Sequence, residues 1–176
     1  MPLRADIQGM VHHYDQAFVI GREQVRQYAR SIKANDPASF DEEAAAELGH
    51  DNLIAPLTFP SILALLVQQD FFRKVDVGLS TMQIVQVDQK FIFHQPLRVG
   101  ITLHASLEIL SVVARFGADI VLTRSVCIND DEEIVLEAFT TLMGHDGDNS
   151  ISMEWDAQSG QVVRTDKTAL ALHLLL

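Results

Sequence analysis

The segment from Phe59 to Lys74 constrains the fold of this chain more than any other segment. It is predicted to form a helix, with Thr58 as its N-cap and Pro60 tolerated in its first turn. The helix carries apolar side chains around most of its circumference: Ile62, Leu63, Leu65, Leu66, Val67, Phe71 and Phe72. A helix with this pattern must be buried on nearly all sides. The rest of the chain is therefore expected to surround it.

The sequence after Gly78 changes to a period of two, which is typical of β-strands. Three further strands are predicted at 101–109, 118–128 and 134–142, and a hairpin turn at Asn129–Glu132 joins the last two. Tight connections between strands imply antiparallel pairing. An antiparallel sheet curled around the apolar helix is an α+β arrangement, the hot-dog fold. In the first strand, one face carries Val85, Val87, Phe91 and Phe93, and the other carries Gln86, Asp88 and Lys90.

The N-terminal third is predicted to hold an entry strand and two helices. His12 to Ile20 alternates loosely, as a strand does. A helix opens at Gly21 and ends before Pro37, because the residue before a proline resists helical geometry. A short helix follows at about 41–48, stopped by Gly49. The first helix has an apolar stripe at helical spacing, made of Val25, Tyr28, Ala29 and Ile32.

The C-terminal part is predicted to differ from the rest. Residues 144–159 are polar and rich in Gly, Asp and Ser, so they read as a loop. Residues 168–176 are apolar and fit either a terminal helix or an artefact of the reading frame. The expected organisation is one hot-dog domain over residues 1–144, followed by a loop and tail over 145–176.

The formal net charge of −11 argues against nucleic acid and anionic membrane surfaces as partners. The longest apolar stretch, Ile62–Val67, is too short to span a bilayer, and Met1–Met10 does not resemble a signal peptide. The single cysteine, Cys127, lies in an apolar stretch and is expected to be a buried small hydrophobe. These features favour a cytoplasmic protein.

Four segments carry a family resemblance: Val19–Tyr28, Ala55–Phe59, Gln83–Phe91 and Phe139–Gly144. They resemble the MaoC-like (R)-specific hydratase/dehydratase family. More narrowly, they look like the non-catalytic, C-type subunit of the mycobacterial (3R)-hydroxyacyl-ACP dehydratase. The resemblance implies removal of water from a 3-hydroxyacyl thioester in type II fatty acid synthesis, on the way to mycolic acids. It also implies a heterodimer in which one subunit carries the chemistry and the other helps to hold the long acyl chain.

Dehydration needs a base for the α-proton and an acid for the leaving hydroxyl. The family supplies these with an Asp and a His, spaced Asp-x-x-x-x-His, in the loop after the first helix. When this chain is matched around Pro37, the Asp position is Ala34 and the His position is Ser39. None of the seven histidines has an Asp five residues before it, so the motif has not moved elsewhere. Asp36 reads as a turn residue before the proline.

The family also places a His-Gly pair before the central helix, where a backbone N–H polarises the thioester carbonyl. Here the pair is Pro56-Leu57, and the Leu57 side chain would crowd the thioester. No catalytic residue, cofactor or metal site is therefore predicted. His12 and His13 cannot converge on a metal, because adjacent strand residues face opposite sides. They are expected to be solvated or capping, and His94 is expected to be structural.

Two sets of binding candidates remain, each with a structural alternative. A basic stripe on the first helix could dock an acidic acyl carrier protein or its phosphate, or be a solvated helix face. Its members are Arg22, Arg26, Arg30 and Lys33. Apolar residues could line an acyl channel, although core packing explains them equally well. The channel candidates are Phe40, Leu57, Thr58, Leu65, Leu66, Phe71 and Phe72.

The expected partners are a catalytic hot-dog subunit and an acyl carrier protein with a long 3-hydroxyacyl chain. A lone hot-dog subunit would leave a strand edge open, which is a liability that a partner removes. Two other functions stay open: a self-sufficient homodimeric hydratase or thioesterase, and a non-enzymatic acyl-thioester binding protein. Activity of the isolated chain separates the first alternative from the accessory role.

Overall fold

The protein is described here by a computed structural model, which covers residues 5–77, 82–115, 118–146, 152–156 and 161–165. Three α-helices and eight strands are found in these ranges. The helices are α1 (Arg22–Ser31), α2 (Glu42–Glu47) and α3 (Ser61–Lys74). The strands are β1 (Val11–His13), β2 (Phe18–Val19), β3 (Met82–Phe93), β4 (Thr102–Arg115), β5 (Ala118–Ile128), β6 (Ile134–Asp146), β7 (Ser152–Asp156) and β8 (Gln161–Thr165).

The main sheet has the strand order β1-β4-β5-β6-β3. β4 pairs antiparallel with β5, and β5 with β6. β3 runs opposite to β6, because the backbone N–H of His94 donates to Val135 O at 2.9 Å and the side chain of Gln89 donates to Thr140 Oγ1 at 3.4 Å. The predicted hairpin is confirmed, since the Asn129 side chain accepts from the backbone N–H groups of both Asp131 and Glu133. The α+β class predicted from the sequence is therefore confirmed.

The prediction of one continuous entry strand over His12–Ile20 is wrong, because the structure has two short strands there, β1 and β2. β1 and β2 pair with different parts of β4: Val11 lies opposite Glu108, whereas Phe18 lies opposite Leu103. The backbone N–H of Tyr14 still donates to Ala105 O at 2.9 Å between them. The two short strands thus lie end to end along one edge of β4, separated by a break that the loose alternation did not reveal.

The core lies between the inner face of the sheet and α3. Burial alternates strictly along β5, as expected for a strand with one face covered. Cys127 on that face is 3% exposed, and burial raises its pKa to about 12. The prediction that it is a buried small hydrophobe is confirmed. The largest fully buried side chains are Phe59, Phe71, Ile20, Leu53, Leu103, Leu107, Ile109 and Leu136.

The helix α3 is less enclosed than its composition predicts. Its buried side chains share one face: Leu63, Ala64, Val67, Gln68 and Phe71. Leu65 is 54% exposed and Leu66 is half-buried, so the expectation of burial on nearly all sides is wrong within this chain.

The predicted N-cap of α3 is also wrong. The helix begins at Ser61, and the Thr58 side chain caps nothing. Instead the carbonyl of Thr58 accepts from the Tyr28 hydroxyl at 2.8 Å and from Ser61 Oγ at 2.7 Å. These bonds join α1 to the start of the central helix.

β3 is an edge strand. It neighbours β6 on one side, and no strand among the described residues pairs with its other side. Ile84, Val85 and Val87 are 38%, 58% and 49% exposed. The predicted alternation of apolar and polar faces exists in the sequence, but no described part of this chain covers the apolar residues in the first half of the strand.

The two N-terminal helices follow the prediction apart from one residue. Val25 and Ala29 of α1 are buried and Tyr28 is half-buried, but Ile32 is 45% exposed because it lies at the C-cap. In α2 the side chain of Asp41 accepts from the Glu43 backbone N–H at 2.7 Å, which caps the helix.

The chain divides into two compact units, Met1–His145 and Asp146–Leu176. In the second unit β7 and β8 form an antiparallel pair, with Trp155 opposite Val162. The loop predicted over 144–159 is therefore wrong in two parts of that range: β6 continues to Asp146, and residues 152–156 form a strand. The predictions for 168–176 lie outside the described residues.

In the part of the chain that is described, no helix has the length and apolarity needed to cross a membrane.

Candidate functional site

The loop after α1 is a tight turn held by its own backbone. Lys33 has a positive φ of 55°, and the N–H of Ala34 donates to Ala29 O at 2.8 Å. The carboxylate of Asp36 then accepts from the Ala38 N–H at 3.0 Å and caps a 3-10 turn over Pro37–Ser39. The prediction of Asp36 as a turn residue is confirmed, and its carboxylate is occupied by this role.

Ser39, which the resemblance predicts to stand at the His position, is part of the framework. It is 2% exposed, and its Oγ donates to Ile54 O at 2.8 Å. The Ile54 N–H in turn donates to Ala38 O at 3.0 Å. These two bonds tie the loop to the segment that leads into α3. A buried hydroxyl committed to a carbonyl offers neither an acid nor a base for dehydration, and the methyl side chain of Ala34 offers none either.

A pocket of about 330 Å³ lies beside Leu57, in the segment before α3. The segment before α3 runs beside the β3–β4 connection, with the Ala55 N–H donating to Leu97 O at 2.8 Å. Leu57 is 73% exposed at the rim. The pocket is lined by the apolar residues Ile54, Ala55, Leu57, Phe93, Pro96 and Leu97 and by two polar residues, His94 and Gln95.

A second, narrower pocket lies at the other end of α3, and its exposed lining is entirely apolar. It is lined by Ile7, Phe71, Phe72, Ile84, Ile109, Val121, Leu142 and Gly144. The seven channel candidates are thus not brought together by the fold. Leu57 lines the first pocket and Phe71 and Phe72 line the second. The remaining four, Phe40, Thr58, Leu65 and Leu66, line neither.

Two of the four residues in the predicted basic stripe, Arg22 and Arg26, form ion pairs within the chain. Arg22 forms an ion pair with Glu42 of α2. Arg26 pairs with Glu23 at 2.8 Å, and its Nε donates to Phe40 O at 3.2 Å. Arg30 and Lys33 are exposed and form no ion pair with any described residue. Arg26 therefore has a structural role, and only the C-terminal half of the stripe offers free positive charge.

One Asp–His pair is present that the sequence analysis missed. His12 Nε2 lies 2.9 Å from Asp70 Oδ2, and the two side chains are only 11% and 13% exposed. The His12 ring also packs edge-on against Phe71, with ring centroids 5.7 Å apart. The expectation of a solvated or capping His12 is wrong. The pair is covered on both sides, so it joins β1 to α3 and leaves little access for an acyl thioester.

Asp70 also pairs with Lys74 at 2.9 Å. The hydrogen bonds from Lys74 and from His12 hold the pKa of Asp70 below its ordinary value of 3.8. A carboxylate whose folded-state pKa is depressed stabilises the fold fully above the unfolded pKa, and loses that contribution as the pH falls through the folded pKa. The stabilisation from Asp70 is thus complete at neutral pH and lost in acid.

Asp70→Asn is expected to lower the thermal unfolding midpoint at neutral pH, and the difference from the parent chain should shrink as the pH falls through about 4 and below. Differential scanning fluorimetry over a pH series measures both. Asp15→Asn is the matched control, because Asp15 is 74% exposed and Lys74 is its one ion-pair partner among the described residues. An equal difference at neutral pH and at pH 3 would contradict the role of the Asp70 carboxylate.

His94 is held by a charge network on the other face of the sheet. Its Nε2 lies 2.9 Å from Glu137 Oε1, and Arg124 donates to Glu137 Oε2 at 2.7 Å. Arg124 also approaches Glu108 at 3.8 Å. The hydrogen bonds from His94 and Arg124 hold the pKa of Glu137 below its ordinary value. Within the described ranges, no three His, Cys, Asp or Glu side chains converge in a way that could hold a metal ion.

Comparisons with known proteins agree with this architecture. Residues 8–138 match the family model described as FAS1-like, dehydratase domain region. The chain is 59% identical over 165 residues to the UPF0336 protein Rv0637 of Mycobacterium tuberculosis, covering 94% of this chain and 99% of that protein.

Two solved structures extend the comparison. The first is the C-terminally truncated HadBC (3R-hydroxyacyl-ACP dehydratase) complex of Mycobacterium tuberculosis. One of its chains is 59% identical with a TM-score of 0.75, and the match covers 79% of this chain and 98% of that one. A MaoC-like dehydratase is 28% identical with a TM-score of 0.75, covering 92% of this chain but 51% of that one. The predicted hot-dog fold is confirmed. The chain therefore belongs to the family of FAS1-like dehydratase domains.

Proposed function

We propose that this chain is the accessory, chain-holding subunit of a heteromeric (3R)-hydroxyacyl-ACP dehydratase that acts in the cytoplasm in type II fatty acid elongation towards mycolic acids. The observation that carries the proposal is the loop after α1. Ala34 has no ionisable group, and the Ser39 hydroxyl is buried against Ile54 O at 2.8 Å. Dehydration by the complex thus requires an Asp and a His from a partner subunit.

The free edge of β3 supports a second hot-dog subunit as that partner. An unpaired edge strand with exposed apolar side chains is a template for pairing with another chain. The 59% identical chain of known structure comes from a two-component dehydratase complex. The match covers 51% of the MaoC-like dehydratase, so the rest of that protein is long enough to form a second domain of similar size. Both observations favour a two-domain assembly.

The test is hydration of a long trans-2-enoyl thioester, which runs the reaction in reverse. We expect no turnover from the purified chain alone and robust turnover after co-expression with a catalytic hot-dog subunit that carries Asp and His. Loss of that Asp or His should lower the rate of the complex by about 10²–10⁴-fold. Turnover by the isolated chain would favour a self-sufficient hydratase instead. Tight acyl-thioester binding without turnover in either preparation would favour a binding protein.

We place the hydrocarbon end of the acyl chain against the C-terminal end of α3. The exposed lining beside Phe71 and Phe72 is purely apolar but encloses only about 10 Å³, so it offers the hydrocarbon end of a chain an apolar contact surface and not an enclosed channel. Phe72 is half-buried there, whereas Phe71 is 1% exposed and belongs to the core. Of the predicted channel residues we therefore assign Phe72 to the chain-holding surface, and we leave Phe71 to packing.

Docking of an acyl carrier protein is assigned to Arg30 and Lys33, because Arg22 and Arg26 are already paired. Arg30→Glu with Lys33→Glu is expected to weaken binding of the carrier protein to the dehydratase complex by about tenfold at low salt, since rim charges act through steering and long-range attraction. Fluorescence anisotropy of a labelled carrier protein measures this affinity.

The matched control is Arg73→Glu with Arg115→Glu, which changes the net charge equally at exposed positions on α3 and β4. This control should leave the affinity within about twofold of the parent value. Equal weakening by both double variants would mean that net charge, and not a docking face on α1, governs the association.

A further inference from the structure

A pocket with a mostly apolar interior lies between the segment before α3 and the end of β3. The polar side chains that line it, His94 and Gln95, are hydrogen-bonded to other residues of the chain. The volume of the pocket is about 330 Å³. His94 is held by Glu137 at 2.9 Å, and Gln95 Nε2 donates to Glu133 Oε2 at 2.8 Å. The hydrogen bonds from Gln95 and then Asn129 hold the pKa of Glu133 below its ordinary value, so this carboxylate stays ionised and keeps its donors. Most of the lining left for an occupant is apolar.

The pocket lies at one end of the exposed apolar edge of the chain. β3 runs alongside α3 in the opposite direction, because Ile84 shares a pocket with Phe72 whereas Phe93 shares one with Leu57. Leu57 is 73% exposed at this pocket, and the exposed apolar residues of β3 lie in the first half of the strand, with the exposed Asp88 and Lys90 between the two. A partner that pairs along the whole of β3 would therefore reach both the apolar first half of the strand and the pocket at its end.

We propose that this pocket receives a large apolar side chain, aromatic or branched aliphatic, from the hot-dog subunit that pairs along β3. The inference deepens the proposed function, on which it rests, by naming the place where the partner is anchored. Interface energy is concentrated in a few anchors that fill well-packed pockets, and aromatic residues are prominent among them. One aromatic side chain buries about 150–250 Å², and a pocket of about 330 Å³ has room for it.

Two substitutions test the anchor site. Leu57→Asp places a charge at the rim, and Ala55→Leu fills the floor of the pocket. Each is expected to weaken association with the catalytic subunit by about 30-fold, measured by isothermal titration calorimetry with the full-length chain. Leu57→Asp should leave the unfolding midpoint unchanged, because the side chain is 73% exposed. It therefore keeps the test valid even if Ala55→Leu, at a site only 5% exposed, disturbs folding.

Leu48→Asp is the matched control, because Leu48 is a 63% exposed leucine at the end of α2 and outside this surface. It should leave the affinity unchanged. Affinity unchanged in Leu57→Asp would overturn the anchor site while leaving the proposed function intact. If that variant instead raised only the KM for long acyl thioesters, the pocket would be an acyl site and the inference would be wrong. Failure of the unaltered chain to bind any catalytic subunit would overturn the proposed function together with this inference.

Discussion

Replacing Val85 and Val87 together by Asp is expected to abolish association with the catalytic subunit and, with it, the dehydratase activity of the complex. Both side chains lie on the free edge of β3, 58% and 49% exposed. Pairing along this strand would bury two carboxylates without partners, and burying an unpaired charge is strongly unfavourable. The affinity should fall by more than about 100-fold. Size-exclusion chromatography with light scattering, followed by the hydration assay, measures both consequences.

The opposite edge of the same sheet supplies the control. Val11 on β1 and Val19 on β2 are 51% and 58% exposed, so Val11→Asp with Val19→Asp matches the first pair in chemistry and exposure. These two strands lie beside β4, far across the sheet from β3 in strand order. The control should leave the complex intact. If it disrupted the complex and the β3 variant did not, the partner would bind at the β1–β2 edge.

Phe71→Ala is expected to lower the free energy of unfolding by about 3–5 kcal/mol. The Phe71 ring is 1% exposed and lies edge-on to two neighbours, Phe72 and His12, with centroid distances of 5.3 Å and 5.7 Å. Its removal leaves a cavity that the surrounding strands cannot fill without moving. Urea denaturation followed by circular dichroism gives the change in free energy.

Leu65→Ala tests the opposite face of the same helix. Leu65 is 54% exposed, so its truncation should change the free energy of unfolding of the isolated chain by no more than about 0.5 kcal/mol. A loss of less than about 1 kcal/mol in Phe71→Ala, accompanied by loss of acyl binding, would show that Phe71 is a channel wall instead of a core residue.

The sequence was a good guide where one face of an element is covered by the chain itself. The period-two pattern of β5 matches its strict alternation of burial, and the hairpin at Asn129 follows from local turn chemistry. It failed where no described part of the chain covers an apolar face. The apolar pattern of α3 and β3 cannot distinguish a side chain buried within one subunit from one that is exposed in it, as at Leu65 and Val85.

The candidate site, too, could be predicted from the sequence only in part. The assignment of the family's Asp and His positions to Ala34 and Ser39 comes from counting along one loop, and it stays a prediction. The pairing of His12 with Asp70 could not be seen, because these residues are 58 positions apart and meet only when β1 packs against α3. The engagement of Arg26 by Glu23 and by Phe40 O was hidden for a related reason, since the path of the loop after α1 decides it.

The reactivity of the Cys127 thiol can report how often the sheet of this chain opens. It is the one cysteine in the sequence, and its thiol is both enclosed in β5 and held almost wholly protonated by a pKa of about 12. A disulfide reagent reacts with thiolates, so labelling requires the strands around Cys127 to separate first. The labelling rate thus measures how often the sheet opens, with no engineered probe. Comparing that rate in the free chain and in the assembled dehydratase would measure how strongly the partner suppresses opening.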